Sequence, residues 1–80
     1  MDAKEAHAAI AAQIKARATA RGLSMRTLAE KVETSRSHLA AVLAGERSPT
    51  VSWLCRVAEV LGCQPYDLMR PPRAQPASKS

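Results

Sequence analysis

Residues 33–46 read "ETSRSHLAAVLAGE". Two hydroxyl side chains and an arginine open a segment whose later positions are leucine, valine and alanine. Thr34 or Ser35 can cap the first backbone N–H groups of a helix, and Gly45 supplies the left-handed residue that ends it. Leu39, Val42 and Leu43 then share one face at helical spacing and are expected to be buried. Arg36, Ser37, Ala40, Ala41 and Ala44 share the other. A face with so few long side chains lets a partner approach the helix backbone closely.

The punctuation on either side predicts helices throughout. All three glycines follow helix-periodic segments, and none of the five prolines falls inside one. "DAKEAHAAIAAQIKARATARG" opens with an Asp2–Glu5 capping-box pattern and stops at Gly22, giving helix one. In "LSMRTLAEKV" Ser24 is the expected cap and Leu23 packs on Leu28 as a staple, giving a short helix from Met25 to Val32. The 33–46 stretch is helix three. "TVSWLCRVAEVLG" is helix four, capped by Thr50 and closed by Gly62, and "CQPYDLM" offers Pro65 as the first-turn residue of a fifth helix of one or two turns. Residues 1–69 therefore read as one all-α, five-helix domain. "RPPRAQPASKS", 70–80, has no apolar periodicity and reads as a disordered basic, Pro-rich tail.

The expected core is Ile10, Ile14, Leu28, Ala29, Val32, Leu39, Val42, Leu43, Val51, Leu54, Val57, Ala58, Leu61, Cys63 and Leu68. With no phenylalanine, aliphatic residues must fill it. Trp53 and Val60 fall outside the helix-four stripe. They read either as a dimer interface covered by a second subunit or, for Trp53, as a shield at the core edge.

Eighty residues leave little material for a deep substrate pocket, and an enzyme is not expected. No paired carboxylate, nucleophile–base arrangement or phosphate-binding glycine loop appears. Cys55 and Cys63 lie about 12 Å apart along a continuous helix, too far for a disulfide, and read as reduced, partly buried thiols. His7 and His38 are distant from both in sequence, so neither a metal nor another cofactor is expected. His7 reads as solvated, as do Arg17, Arg21, Lys31, Arg56 and Arg70. No apolar run approaches the ~20 residues that span a bilayer, and Ile10 and Ile14 give helix one too narrow an apolar face for a membrane surface. A cytoplasmic protein is the expectation. A formal net charge of +5 favours a polyanionic partner.

Two helices joined by three or four residues, carried on a basic chain, form the arrangement that lays the second helix in a DNA major groove. From Ile10 to Met69 the chain resembles the lambda-repressor-like helix-turn-helix proteins, which include Cro and many small phage and bacterial regulators. The resemblance is carried by "GLSMRTLAEKV", "TSRSHLAAVLAGERSPTVSWL" and "VAEVLGCQPYDLM". It implies that residues 1–69 are a DNA-binding domain whose helix-turn-helix is made by helices two and three. It implies base contacts at Arg36, Ser37 and Ala41, with Ala40 beside them, and phosphate contacts at Ser35, Arg47 and Ser48. Arg26 can stand in where the family's usual phosphate-contacting glutamine is Met25. His38 fits a base or phosphate contact and a packing role equally well.

Three further positions depart from the family pattern. Glu33 replaces the usual turn glycine, so a non-glycine residue must pass through the turn. Ala18 and Leu43 replace an internal arginine–glutamate pair, a double change that leaves no unpaired charge behind. Arg36 can reach guanine O6 and N7 together, and the alanines can meet thymine methyl groups. The implied function is a transcriptional regulator, a repressor or autoregulator, that binds a palindromic site on double-stranded DNA as a homodimer. An antitoxin-type or other protein-interaction module, binding a toxin or another regulator, is the alternative.

Overall fold

The computed structural model describes residues 3–70, an all-helical chain in which four α-helices precede one short 3-10 helix. They are α1 (Ala3–Ala20), α2 (Met25–Val32), α3 (Arg36–Leu43) and α4 (Val51–Leu61), followed by the 3-10 segment Pro65–Met69. The hydroxyl caps fall where the sequence places them. Ser24, Ser35 and Thr50 each have extended backbone, and their side chains accept the N–H groups of Thr27, His38 and Trp53. Of the two candidates before α3 it is Ser35 that caps. The Thr34 hydroxyl instead accepts the indole N–H of Trp53 at 3.2 Å. Asp2 and residues 71–80, on which the first capping box and nearly all of the proposed tail rest, lie outside the described residues.

The expected fifth α-helix is a 3-10 turn. The Asp67 N–H donates to the Gln64 carbonyl at 2.9 Å, and the Asp67 carboxylate accepts the Gln64 N–H at 3.0 Å, closing the segment over three residues instead of four. Arg70, which precedes a proline in the sequence, is already extended at φ −78° and ψ 139°, so the turn goes no further. Even so, the segment drives Leu68 into the core between α1 and α4, where it is fully buried.

Ile14, Leu28, Val32, Leu39, Val42, Val57 and Leu68 make the centre of the core. Three expected members differ. Val51 is 74% exposed because it is the first residue of α4 and projects beyond the end of the packed stripe, while Leu43 and Cys63 are half-buried at the core edge. Trp53 is corrected in the other direction. Only 4% exposed, it is a core residue with its N–H already satisfied and its ring edge-on to His38 at 5.5 Å between centroids. It therefore presents no surface strip for a second subunit. Val60 is half-buried and packs against the same core. Ala9, Ala11 and Ala18 are buried as well, which brings α1 close to its neighbours.

Two of the arginines read as solvated are instead helix stops. Arg21 Nη1 donates to the Leu61 carbonyl at 3.1 Å, and Arg56 Nε donates to the Val32 carbonyl at 3.2 Å. Each satisfies the last carbonyl of a helix that has no partner within that helix.

Candidate nucleic-acid interface

Between Val32 and Arg36 the chain turns through three residues. Glu33 adopts φ 64° and ψ 47°, the left-handed conformation for which glycine is the usual residue, and its N–H reaches back to the carbonyls of Ala29 and Glu30. Thr34 N–H follows with a bond to the Ala29 carbonyl at 2.9 Å. After this turn α3 begins at once with Ser35 as its cap.

α3 is anchored by Leu39 and Val42, which are buried, and by half-buried Leu43. The remaining face is open. Arg36, Ser37, Ala40 and Ala44 are exposed and Ala41 is half-buried, so the expected reading face lies together on one surface. Shallow concavities flank it. On one side Ser35, Ser37, His38 and Ala41 share a depression with Arg47, which brings two expected phosphate contacts next to three of the expected base contacts. On the other, Arg36 and Ala40 share a mostly apolar groove with Met25, Leu39, Leu43, Ala44 and Lys15. Arg26 lines a third hollow with Glu30, Thr34 and Arg36, so both guanidinium groups stand at the α2–α3 junction.

His38 is held half-buried against Trp53, yet it still forms part of the wall of the depression beside Ser37 and Arg47. Ser48 is exposed on the loop after α3, and its Oγ lies 3.2 Å from His7 Nε2. Helix α3 ends at Leu43 with Ala44 as its C-cap, after which Gly45 turns left-handed at φ 80° and Glu46 N–H bonds back to the Ala41 carbonyl at 2.9 Å. That turn sets Arg47 and Ser48 beside the last turn of the helix.

Helix α1 also borders the candidate site, a placement its sequence does not reveal. Lys15 borders the Arg36 groove, and Lys4 and His7 border a cleft at the far end of α3. Alanine surrounds α1 on most sides, so its pattern does not say which flank turns toward α3; a helix with a sharper apolar stripe would have done so. Among the described residues no cluster of three or more His, Cys, Asp or Glu side chains could hold a metal ion. Nor is any helix among them long and apolar enough to cross a membrane.

An all-helical core presenting one small-residue helix on a basic surface defines a nucleic-acid-binding class. A family model described as Helix-turn-helix matches residues 14–68, and the chain belongs to that family, the DNA-binding transcription regulators of the lambda-repressor and Cro type. No curated protein matches the sequence. Among solved structures the chain is similar to the hypothetical transcription factor NHTF from Neisseria, with a TM-score of 0.82 and 25% identity over 90% of this chain and 83% of that one. It is similar also to the restriction-modification controller protein C.AhdI from Aeromonas hydrophila, with a TM-score of 0.73 and 27% identity over 78% and 94% of the two chains. An HTH_3 family transcriptional regulator from Vibrio cholerae gives a TM-score of 0.72 and 30% identity, and there the match spans only 35% of the longer chain.

Proposed function

We propose that α2, the Glu33 turn and α3 are the helix-turn-helix of a sequence-specific regulator, and that α3 lies in the major groove of double-stranded DNA. The observation that carries this reading is the exposed face of α3. It combines one long donor, Arg36, with alanines that keep the helix narrow enough to seat deeply. Arg36 reads guanine through O6 and N7, while Ser37, Ala40 and Ala41, with His38 at the edge, meet neighbouring base edges. Ser35, Arg26, Arg47 and Ser48 hold the backbone on either side.

A single bidentate contact discriminates by about 1–3 kcal/mol, too little to pick out one site, so two copies reading a palindrome are part of the proposal. With Trp53 committed to the core, Val60 is what remains of the expected dimer strip. The likeness to a restriction-modification controller supports a repressor or autoregulator.

Selection of bound duplexes from a randomised pool at physiological salt tests this directly. An enriched palindrome containing a guanine in each half-site is the expected outcome. Arg36→Ala should weaken binding to it by about 1–3 kcal/mol and relax selection at that base, with thermal stability unchanged. A pool that stays random would overturn the reading in favour of a protein-interaction module.

A further inference from the structure

The family match begins at residue 14, whereas α1 begins at Ala3, so about three turns of helix precede the matched segment. These turns are not an idle extension. His7 Nε2 meets Ser48 Oγ across 41 residues of sequence, which fixes the second turn of α1 to the loop that follows α3. Lys4, His7 and Ala8 from α1 face Leu43, Ala44 and Gly45 across one cleft. The floor of that cleft is low. At Gly45 nothing lies within 4 Å of where a side chain would start, and Ala8 and Ala44 add only methyl groups.

We propose that this cleft is a phosphate subsite: α1 supplies Lys4 and His7 to the DNA strand passing the C-terminal end of α3, and His7 acts through and beside Ser48. The proposal rests on the reading of α3 as the groove helix. Its chemistry follows from the donors present. When His7 Nε2 carries its proton and donates to Ser48 Oγ, the serine hydroxyl hydrogen is free for a phosphate oxygen, and the two bonds in series polarise one another. Lys4 is exposed on the same rim and supplies the full charge that neutralises the phosphate. Arg47, exposed next to Ser48, continues the same line of donors toward the depression on the far side of α3. The cationic rim commits the occupant to a nucleic-acid backbone, and among the described residues the lining of Ala8, Ala44 and Gly45, with Leu43 half-buried beneath them, leaves that backbone room to come in.

The experiment is a salt titration of binding to the selected duplex by the full chain and by Lys4→Ala, His7→Ala, His7→Gln and Ser48→Ala, with the thermal midpoint of each. Lys4→Ala should reduce the slope of log K against log salt by about one and weaken binding roughly three- to tenfold at physiological salt, with its midpoint unmoved. His7→Ala and Ser48→Ala should each weaken binding, and together cost less than the sum of the two, because they break one chain of bonds. His7→Gln, which can still donate to the serine, should recover part of the loss. A Lys4→Ala protein with wild-type slope and affinity would overturn the proposal, and its exposed site removes misfolding as an explanation. If that happens while Arg36→Ala still relaxes selection at its base, the subsite alone fails. If no duplex is bound selectively by the wild-type chain, the reading of α3 fails with it.

Discussion

Helix α2 closes at Glu33 with φ 64° and ψ 47°, and α4 closes at Gly62 with φ 73° and ψ 34°. The hydrogen bonding is the same at both ends. Each cap N–H donates to the carbonyls of the preceding turn, each following N–H reaches back to an alanine carbonyl at about the same distance (Thr34 to Ala29, 2.9 Å; Cys63 to Ala58, 3.0 Å), and each last carbonyl receives an arginine. The residue in the strained position differs. The backbone angle asks for glycine there, and a Cβ at Gly62 would lie 2.9 Å from Arg21 Nη1, the flexible end of that side chain, which would have to shift off the Leu61 carbonyl. At Glu33 the side chain is exposed, and the cost is confined to the backbone, about 1–2 kcal/mol for an L-residue in this conformation. The end that only holds the fold together is relaxed. The end that aims α3 carries strain and an acid next to a surface proposed to meet phosphate.

The largest effect is expected at Gly62. Gly62→Ala should lose the backbone preference and push Arg21 off the Leu61 carbonyl, and we expect a destabilisation of about 2–3 kcal/mol in urea unfolding with an unchanged m-value. A loss of only about 1 kcal/mol would mean that Arg21 steps aside without penalty and that the backbone angle alone asks for glycine at this end. Next in size are the arginines themselves. Arg56→Ala and Arg21→Ala should each cost about 0.5–1.5 kcal/mol, the worth of one hydrogen bond to a carbonyl otherwise left at a helix end. In the Gly62→Ala background Arg21→Ala should add almost nothing, since the bond is already gone.

What the sequence made legible divides along the same line. Local chemistry was readable: three hydroxyl caps, the glycine stops and the boundaries of α2 and α4 follow from single residues and their immediate neighbours. The open face of α3 was equally plain, because leucine and valine at helical spacing leave only one side for Arg36, Ser37 and the alanines. What failed depended on partners distant in sequence. Trp53 looks like a stray apolar residue until Thr34 and His38 are folded against it. Arg21 and Arg56 look solvated until the carbonyls they reach, 40 and 24 residues away, are in place. Val51 satisfied the periodicity but sat where the helix had not yet reached its neighbours. The α1 side of the candidate site was hidden for the same reason, since alanine fits any face.

Glu33→Gly makes the α2 end resemble the α4 end. Glycine relieves the left-handed strain but brings its own extra freedom to the unfolded chain, so the net gain should be only about 0.5–1 kcal/mol. Removing the acid should also tighten binding to DNA modestly, and more at low salt than at high. A stability gain with no change in affinity would place Glu33 away from the phosphates. A loss of stability would mean that the carboxylate makes a contact worth more than the strain.

The smallest effect concerns the residues that follow the two caps. Thr34 is tied to Trp53, whereas Cys63 packs at the core edge, where burial raises its thiol pKa against the opposing pull of Arg17 and Arg21, with Asp67 pushing in the same direction as burial. Less thiolate is then present at a given pH, so near pH 8 Cys63 should react with iodoacetamide more slowly than exposed Cys55, and its rate should still be climbing above the ordinary thiol midpoint of about 8.5. Arg21→Ala turns this into a test of the helix end. Loss of the cation alone raises the thiol pKa further and slows the reaction; opening of the end exposes the sulfur and speeds it. We expect the slower rate, because the Gly62 and Cys63 backbone bonds close the end without the arginine. A faster rate would make Arg21 the clasp of α4, and by analogy Arg56 the clasp of the turn that aims α3.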